Sequence, residues 1–143
     1  MIREFRSSDM DSIIDIWLRA SVEAHGFISS EYWAQKVQDM REKYIPASRT
    51  FIYIDSDEVV SGFISLVDNY IAALFVTPDK QGRGIGRELL GHVKAIEKEL
   101  KLAVYTRNIK ARKFYEHEGF SPVSIEIDLD TGEEELVMRY NKS

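Results

Sequence analysis

Apolar and polar positions recur at two different periods along this chain, and the switches between the periods mark out its elements. Ile2 to Phe5 alternates with period two and predicts a short first strand. Ser8 stands where a helix cap belongs, with Asp11 three residues on, and Met10, Ile13, Ile14, Trp17 and Leu18 repeat at helical spacing until Gly26. A second helix is expected from Ser29 or Ser30, with Trp33, Val37, Met40 and Tyr44 on one face and Pro46 as its stop. Phe51 to Ile54, Val59 to Val67 and Tyr70 to Val76 read as an antiparallel meander turned at Ser56-Asp57-Glu58 and at Asp68-Asn69. Gly62, inside the middle strand, marks a bulge or the close approach of another element.

The period then lengthens. Leu89, Leu90, Val93 and Ile96 predict a helix from about Gly84 to Leu100. Leu102 to Tyr105 follows as a short strand, paired parallel to its predecessor through a right-handed crossover. Asn108 opens another short helix, with Ala111, Phe114 and Tyr115 inward and Gly119 as a left-handed cap. Val123 to Leu129 and Glu135 to Tyr140 close the chain as a hairpin around Asp130-Thr131-Gly132. Neither repeat nor linker interrupts residues 1–143, which read as one domain. The order β-α-α-β-β-β-α-β-α-β-β describes an α/β fold with a mixed sheet and helices on both faces.

Composition narrows the possibilities. A chain of 143 residues, 44% hydrophobic and 30% charged, can bury a core of its own and belongs among soluble globular proteins. With no cysteine, disulfides and thiol nucleophiles drop out, and no metal site is expected. No apolar h-region follows Met1, and no run approaches the roughly 18 residues of a membrane span, so no membrane partner and a cytoplasmic location are expected. A net charge of −5 argues against nucleic acid as a partner. Its distribution matters more: Lys80, Arg83 and Arg87 gather in one stretch, and Arg107, Lys110, Arg112 and Lys113 in another. Such gathering in an acidic protein fits a polyanionic ligand, although solvated helix faces would read the same.

The stretch from Leu74 to Arg87 carries the chemistry. An apolar run ends at Pro78, and Gln81-Gly82-Arg83-Gly84-Ile85-Gly86-Arg87 feeds directly into a helix. A strand that turns into a helix through such a loop leaves several N–H groups unpaired at the positive end of the helix dipole, an anion cradle. Gly86 is followed by Arg87-Glu88 rather than Lys-Ser/Thr, which excludes a P-loop. Glycines at 82, 84 and 86 are misspaced for a dinucleotide fingerprint, and they lie mid-chain. Another phosphate ligand, or a glycine-rich turn without one, remains open at this point.

The loop, Gln-x-x-Gly-x-Gly after a Val-x-Pro strand end, resembles the acetyl-CoA loop of the GCN5-related N-acetyltransferase (GNAT) superfamily. Asn108 through Phe120, Asn-x-x-Ala-x-x-Phe-Tyr-Glu-x-x-Gly-Phe, resembles the second cofactor segment of that family. Ala24-His25-Gly26-Phe27-Ile28 with Tyr32-Trp33 resembles, more weakly, the substrate-side loop of small bacterial members. The element order matches as well, so the resemblance spans nearly the whole chain and implies the family's mixed, mostly antiparallel sheet. It implies acetyl transfer from acetyl-CoA to a primary amine by direct attack in a ternary complex, the amine belonging to a small molecule, a peptide or a protein. It further implies that pyrophosphate rests on the amides of Gly82 to Arg87 and that pantetheine lies along Leu74 to Val76 like an added strand. An amide near Phe75 or Val76 would then face the thioester oxygen. Gln81 belongs to the same cofactor-binding set.

Tyr115 aligns with the tyrosine that protonates the leaving thiolate in much of the family, and it also reads as a core aromatic beside Phe114 and Phe120. Asn108 matches the position that holds pantetheine, and it is equally a good N-cap. The match fails at the general base. Many relatives carry a glutamate on the strand Leu102 to Tyr105, where Ala103 stands here. Three readings follow: His25 as base or substrate contact, ordered waters reaching Glu23 or Asp68, or an amine that needs no strong base. Glu23, Phe27 and Trp33 are expected in the acceptor wall. Ala103 also keeps a second class open, an acyl-CoA-binding sensor that has lost catalysis, with a binder of some other nucleotide as a third. Monomer and homodimer are both compatible with the sequence.

Overall fold

Alternation places strands where it predicts them, and pairing joins them into one sheet. The computed structural model describes residues 1–142. The strands are β1 (Ile2–Glu4), β2 (Arg49–Ile54), β3 (Val60–Val67), β4 (Tyr70–Val76), β5 (Glu99–Tyr105), β6 (Ser121–Ile127) and β7 (Glu134–Asn141). They run in the order β1-β2-β3-β4-β5-β7-β6, antiparallel except for β4 with β5. The helices are α1 (Met10–Ala24), α2 (Ser30–Asp39), α3 (Ile85–Lys94) and α4 (Ile109–His117). The mixed α/β fold and the element order agree with the sequence reading.

Each face of the sheet carries its own core. On one, Leu89, Leu90 and Val93 of α3 pack with Ile64, Leu66, Leu100, Leu102 and Met138, and Phe114 and Tyr115 of α4 lean on the same cluster. On the other, Ile13 and Trp17 of α1 and Trp33 of α2 pack with Ile52, Phe63 and Ala73. Apolar residues at i, i+3 and i+4 give each helix one buried stripe, and period two sends alternate strand residues to opposite cores.

The second helix ends at Asp39, with a π-helical turn over Met40–Tyr44 before Pro46, β6 spans Ser121–Ile127 rather than 123–129, and two further boundaries differ from the sequence reading. Ser8 does not cap the first helix. Ser7–Asp9 forms a turn of 3-10 helix, and the buried Asp9 organises the entry by accepting from the Arg6 amide (2.8 Å) and from both Arg3 guanidinium nitrogens (2.9 Å each). The charged clamp outcompetes a serine hydroxyl, and Arg3 holds the Asp9 carboxyl below its usual range. The helix expected to reach Leu100 ends at Lys94, and β5 begins at Glu99. No glycine or proline lies between Gly91 and Gly119 to signal the stop. Leu100 and Leu102 are buried because they alternate on β5, which pairs with β7 from Glu99↔Asn141 to Tyr105↔Glu135.

Two features shape the centre of the sheet. Gly62 sits at a register shift between β2 and β3, and a Cβ there would meet the Phe75 carbonyl at 3.0 Å and Ile85 and Leu89 at 3.2 and 3.3 Å. The glycine therefore lets α3 approach the sheet closely. β4 carries its own register shift opposite Ser65/Leu66 and touches β5 through a single register pair, Tyr70↔Lys101. Beyond that pair the two parallel strands part.

Candidate functional site

The parting strands open a cavity of about 680 Å³ between β4 and β5. The loop into α3, α4 and the α1–α2 connection all contribute to its lining. Gly82 and Gly84 adopt left-handed φ values of 81° and 85°, with nothing within 4 Å of a Cβ at either position. That backbone is accessible to glycine with little strain and keeps its outer side open. The Lys80 amide donates to Thr77 and the Glu88 amide to Gly84, and among the described residues the amides of 82–87 between them find no carbonyl. Six unpaired donors thus stand at the start of a ten-residue helix, the backbone arrangement expected of the strand-to-helix loop.

Side chains around the cradle are unequal. Lys80 is taken up by Asp55 and Ser61, so its charge is spent within the fold. Arg87 reaches Glu118 at 3.4 Å, whereas Arg83 is exposed. Gln81 bridges: its amide nitrogen donates to the Val76 carbonyl (3.2 Å), and its oxygen accepts from Lys110 (3.2 Å). The loop is thereby tied both to the end of β4 and to α4. Leu74, Phe75 and Val76 are half-buried and present one backbone edge to the gap left by β5, while Ile85 and Gly86 stand where α3 meets Val76 and Phe114.

On α4, Asn108 Oδ1 accepts from the Ala111 amide (3.2 Å), a helix cap. This bond turns the Asn108 amide nitrogen to His25 Nε2, at 3.2 Å. An amide nitrogen only donates, so Nε2 must offer its lone pair and the imidazole proton sits on Nδ1. His25 is 8% exposed, stacked among Trp33, Tyr105 and Phe27, and burial lowers its pKa to about 4, with the Ser21 carbonyl acting weakly the other way. The ring is neutral at pH 7, and its one lone pair is committed. The sequence expectation of a loop base thus meets a buried connector between the α1–α2 loop and α4.

Tyr115 lines the cavity, wedged between Phe114 and Phe120 with ring centroids at 5.2 and 5.5 Å. Among the described residues its hydroxyl has no hydrogen-bond partner, and burial raises its pKa well above that of a free phenol. It is held as a neutral O–H.

The end expected to take the acceptor is aromatic, lined by Trp33 but not by Phe27. Trp33 is 7% exposed and meets Trp17 edge to face, and Phe27 packs against His25 and Tyr105 with Arg107 over its ring. Glu23 is exposed and does not line the cavity. Ala20 and Ala24 present that face of α1, and Glu23 lies about 100° round the helix from Ala24. Asp68 is also removed from the site, in the β3–β4 turn beside Glu97 and Glu99. Three residues unmarked in the sequence reading do line the cavity: Tyr70, Tyr105 and Glu135. Glu135 lies directly across from Tyr105, a neighbour created by the β5–β7 pairing and invisible to local spacing.

A profile of the acetyltransferase (GNAT) domain matches residues 46–122. The peptidyl-lysine N-acetyltransferase YiaC of Escherichia coli K12 is 33% identical over 121 residues, 84% of this chain and 82% of that one. The solution structure of apo YjaB from Escherichia coli superposes with a TM-score of 0.87 at 28% identity, covering 100% and 98% of the two chains. The PaiA N-acetyltransferase of Thermoplasma acidophilum, solved in complex with coenzyme A, shares the fold at 20% identity and a TM-score of 0.80, over 99% and 98%.

Proposed function

The chain belongs to the GNAT acetyltransferase family, and from that premise we propose that it is an acetyl-CoA-dependent N-acetyltransferase acting on the side-chain amine of a peptidyl lysine. The observation that carries the reading is the row of unpaired amides at 82–87, opening onto the gap between β4 and β5 with the free hydroxyl of Tyr115 in its wall. Free amides at a positive helix end, with exposed Arg83 beside them, suit a diphosphate. The unpaired edge of Leu74 to Val76 suits an extended, amide-bearing arm. The acceptor class is taken from YiaC, whose name specifies peptidyl lysine, and the apolar wall of Trp17 and Trp33 suits the aliphatic stem of that side chain.

Acetyl-CoA, when bound, supplies the activated acyl group and a thiolate leaving group for direct attack in a ternary complex. The chain supplies the rest. An amide of Phe75 or Val76 polarises the carbonyl oxygen, a preorganised donor typically worth about 3 kcal/mol of barrier. Tyr115, kept protonated by burial, donates to the departing sulfur. Asn108 is positioned for the pantetheine arm by its cap to Ala111 and its bond to His25, which gives His25 a positioning role rather than that of a base. A panel of lysine peptides and small amines, read as free thiol released from acetyl-CoA, tests this. Release with lysine peptides is expected. Thermal stabilisation by coenzyme A without thiol release from any amine would overturn it in favour of a non-catalytic acyl-CoA sensor, the reading that Ala103 favours.

A further inference from the structure

We infer that Glu135 is the proton acceptor for the incoming amine, supplying from β7 the carboxylate that position 103 of β5 lacks; the inference rests on the acetyltransferase reading above. Ala103 pairs with Val137 and Tyr105 with Glu135, so Glu135 is the diagonal neighbour of Ala103 on the same face of the sheet. Diagonal positions lie about 7–8 Å apart, within reach of a glutamate side chain. Both residues line the cavity, and that face is the one turned to His25, Phe27 and the acceptor wall.

The neighbours of Glu135 isolate it. Glu126 of β6 lies directly opposite, Tyr105 of β5 is its partner on the other side, and Tyr70 of β4 and Asp128 of the hairpin are close enough to interact with it electrostatically. The hairpin acids around it are engaged: Asp128 accepts from Tyr105 (2.7 Å), Asp130 pairs with Lys36 (3.2 Å) and Glu133 with Arg107 (3.1 Å). Among the described residues no hydrogen bond or ion pair holds the Glu135 carboxylate. Two glutamates facing each other across strands cost stability, and no cation among the described residues pairs with Glu135 to repay it. A substrate ammonium would. Burial together with Asp128 and Glu126 raises the carboxyl pKa, which improves it as a base.

The protons balance. Glu135 takes one proton from the lysine ammonium, and the free lone pair forms the C–N bond while the C–S bond breaks. Tyr115 gives its proton to sulfur and recovers one from the acylated nitrogen. Glu135 returns its own to solvent.

The test compares wild type, Glu135→Gln and Glu135→Asp over a range of pH, with a lysine peptide and with the same peptide carrying the more weakly basic S-aminoethylcysteine. Coenzyme A-induced thermal stabilisation reports folding and cofactor binding. In wild type, kcat/KM falls as pH falls through the Glu135 pKa. Glu135→Gln is expected to lose about 10²-fold in kcat/KM and this acid limb, to keep the coenzyme A response, and to show a smaller deficit with the weaker amine. Glu135→Asp recovers part of the rate. A Gln variant within about three-fold of wild type, or one that retains the acid limb, overturns the role of Glu135 and leaves the enzyme reading standing. Wild type inert towards every amine overturns both.

Discussion

Acidification should act on the bond between His25 and Asn108, and the structure sets the size of the effect. The imidazole is neutral, buried and committed through Nε2 to an amide that can only donate. Its proton affinity is lowered from 6.5 to about 4. That difference favours the neutral folded form by about 3 kcal/mol, a sizeable share of the roughly 5–15 kcal/mol that holds a domain together. The unfolded chain takes up a proton below pH 6.5, while the folded chain resists until about 4. This contribution is therefore complete above pH 6.5, shrinks as pH falls towards 4, and is absent below. Asn108→Asp retains the cap oxygen and places a second carboxylate oxygen against Nε2. His25 should then titrate above 6.5, and its contribution should reverse sign, present at low pH and lost as pH rises through the new pKa. Nuclear magnetic resonance titration resolves the three histidines of the chain, and the ¹⁵N shifts report the tautomer. Urea unfolding at pH 7 and pH 5 measures the stability. A wild-type His25 that titrates near 6.5, or that carries its proton on Nε2, would refute the reasoning.

Tyr115→Phe removes a hydroxyl that has no hydrogen-bond partner among the described residues, so the unfolding midpoint should stay unchanged while kcat falls about 10²-fold; unchanged turnover would remove the residue from the proton path. Gly84→Glu places a side chain in open space, at a backbone cost of about 1–3 kcal/mol, and brings negative charge to the cradle. Calorimetric titration should show coenzyme A affinity lost by at least about 10²-fold in a folded protein. Gly62→Val presses a side chain against the Phe75 carbonyl and against Ile85 and Leu89 of α3, and urea unfolding should record about 1–3 kcal/mol of destabilisation, with weaker coenzyme A binding beside it.

What could be read from the sequence was local. The period-two runs gave the meander, the 3.6-residue spacing gave the helices, and Gly119 announced a left-handed cap that the structure places at φ 95°. The misreadings share a cause. Val93, Ile96 and Leu100 fit one helical stripe, but pairing with β7 takes Leu100 into a strand and leaves Ile96 exposed in the turn. Asp9 prevailed over Ser8 because Arg3 arrives from β1, a tertiary contact. His25 read as a loop base or substrate contact, and its burial stayed hidden because its surroundings, Trp33, Tyr105 and Asn108, come from three other elements. Glu135 sits in a Glu133-Glu134-Glu135 run that resembles a solvated hairpin end, and only the strand beside it turns that carboxylate into the cavity wall.

The solitary rung between Tyr70 and Lys101 makes the middle of the sheet a seam, open beyond that rung where backbone bonds would ordinarily run. A molecule lying in that seam completes the sheet and fastens its halves together. Occupancy at a hundred times the dissociation constant adds about 2.7 kcal/mol to the folded state. With the acyl donor in that seam, as proposed above, the persistence of this protein against proteases should rise and fall with donor supply, and the opening would tie the lifetime of the protein to metabolic plenty.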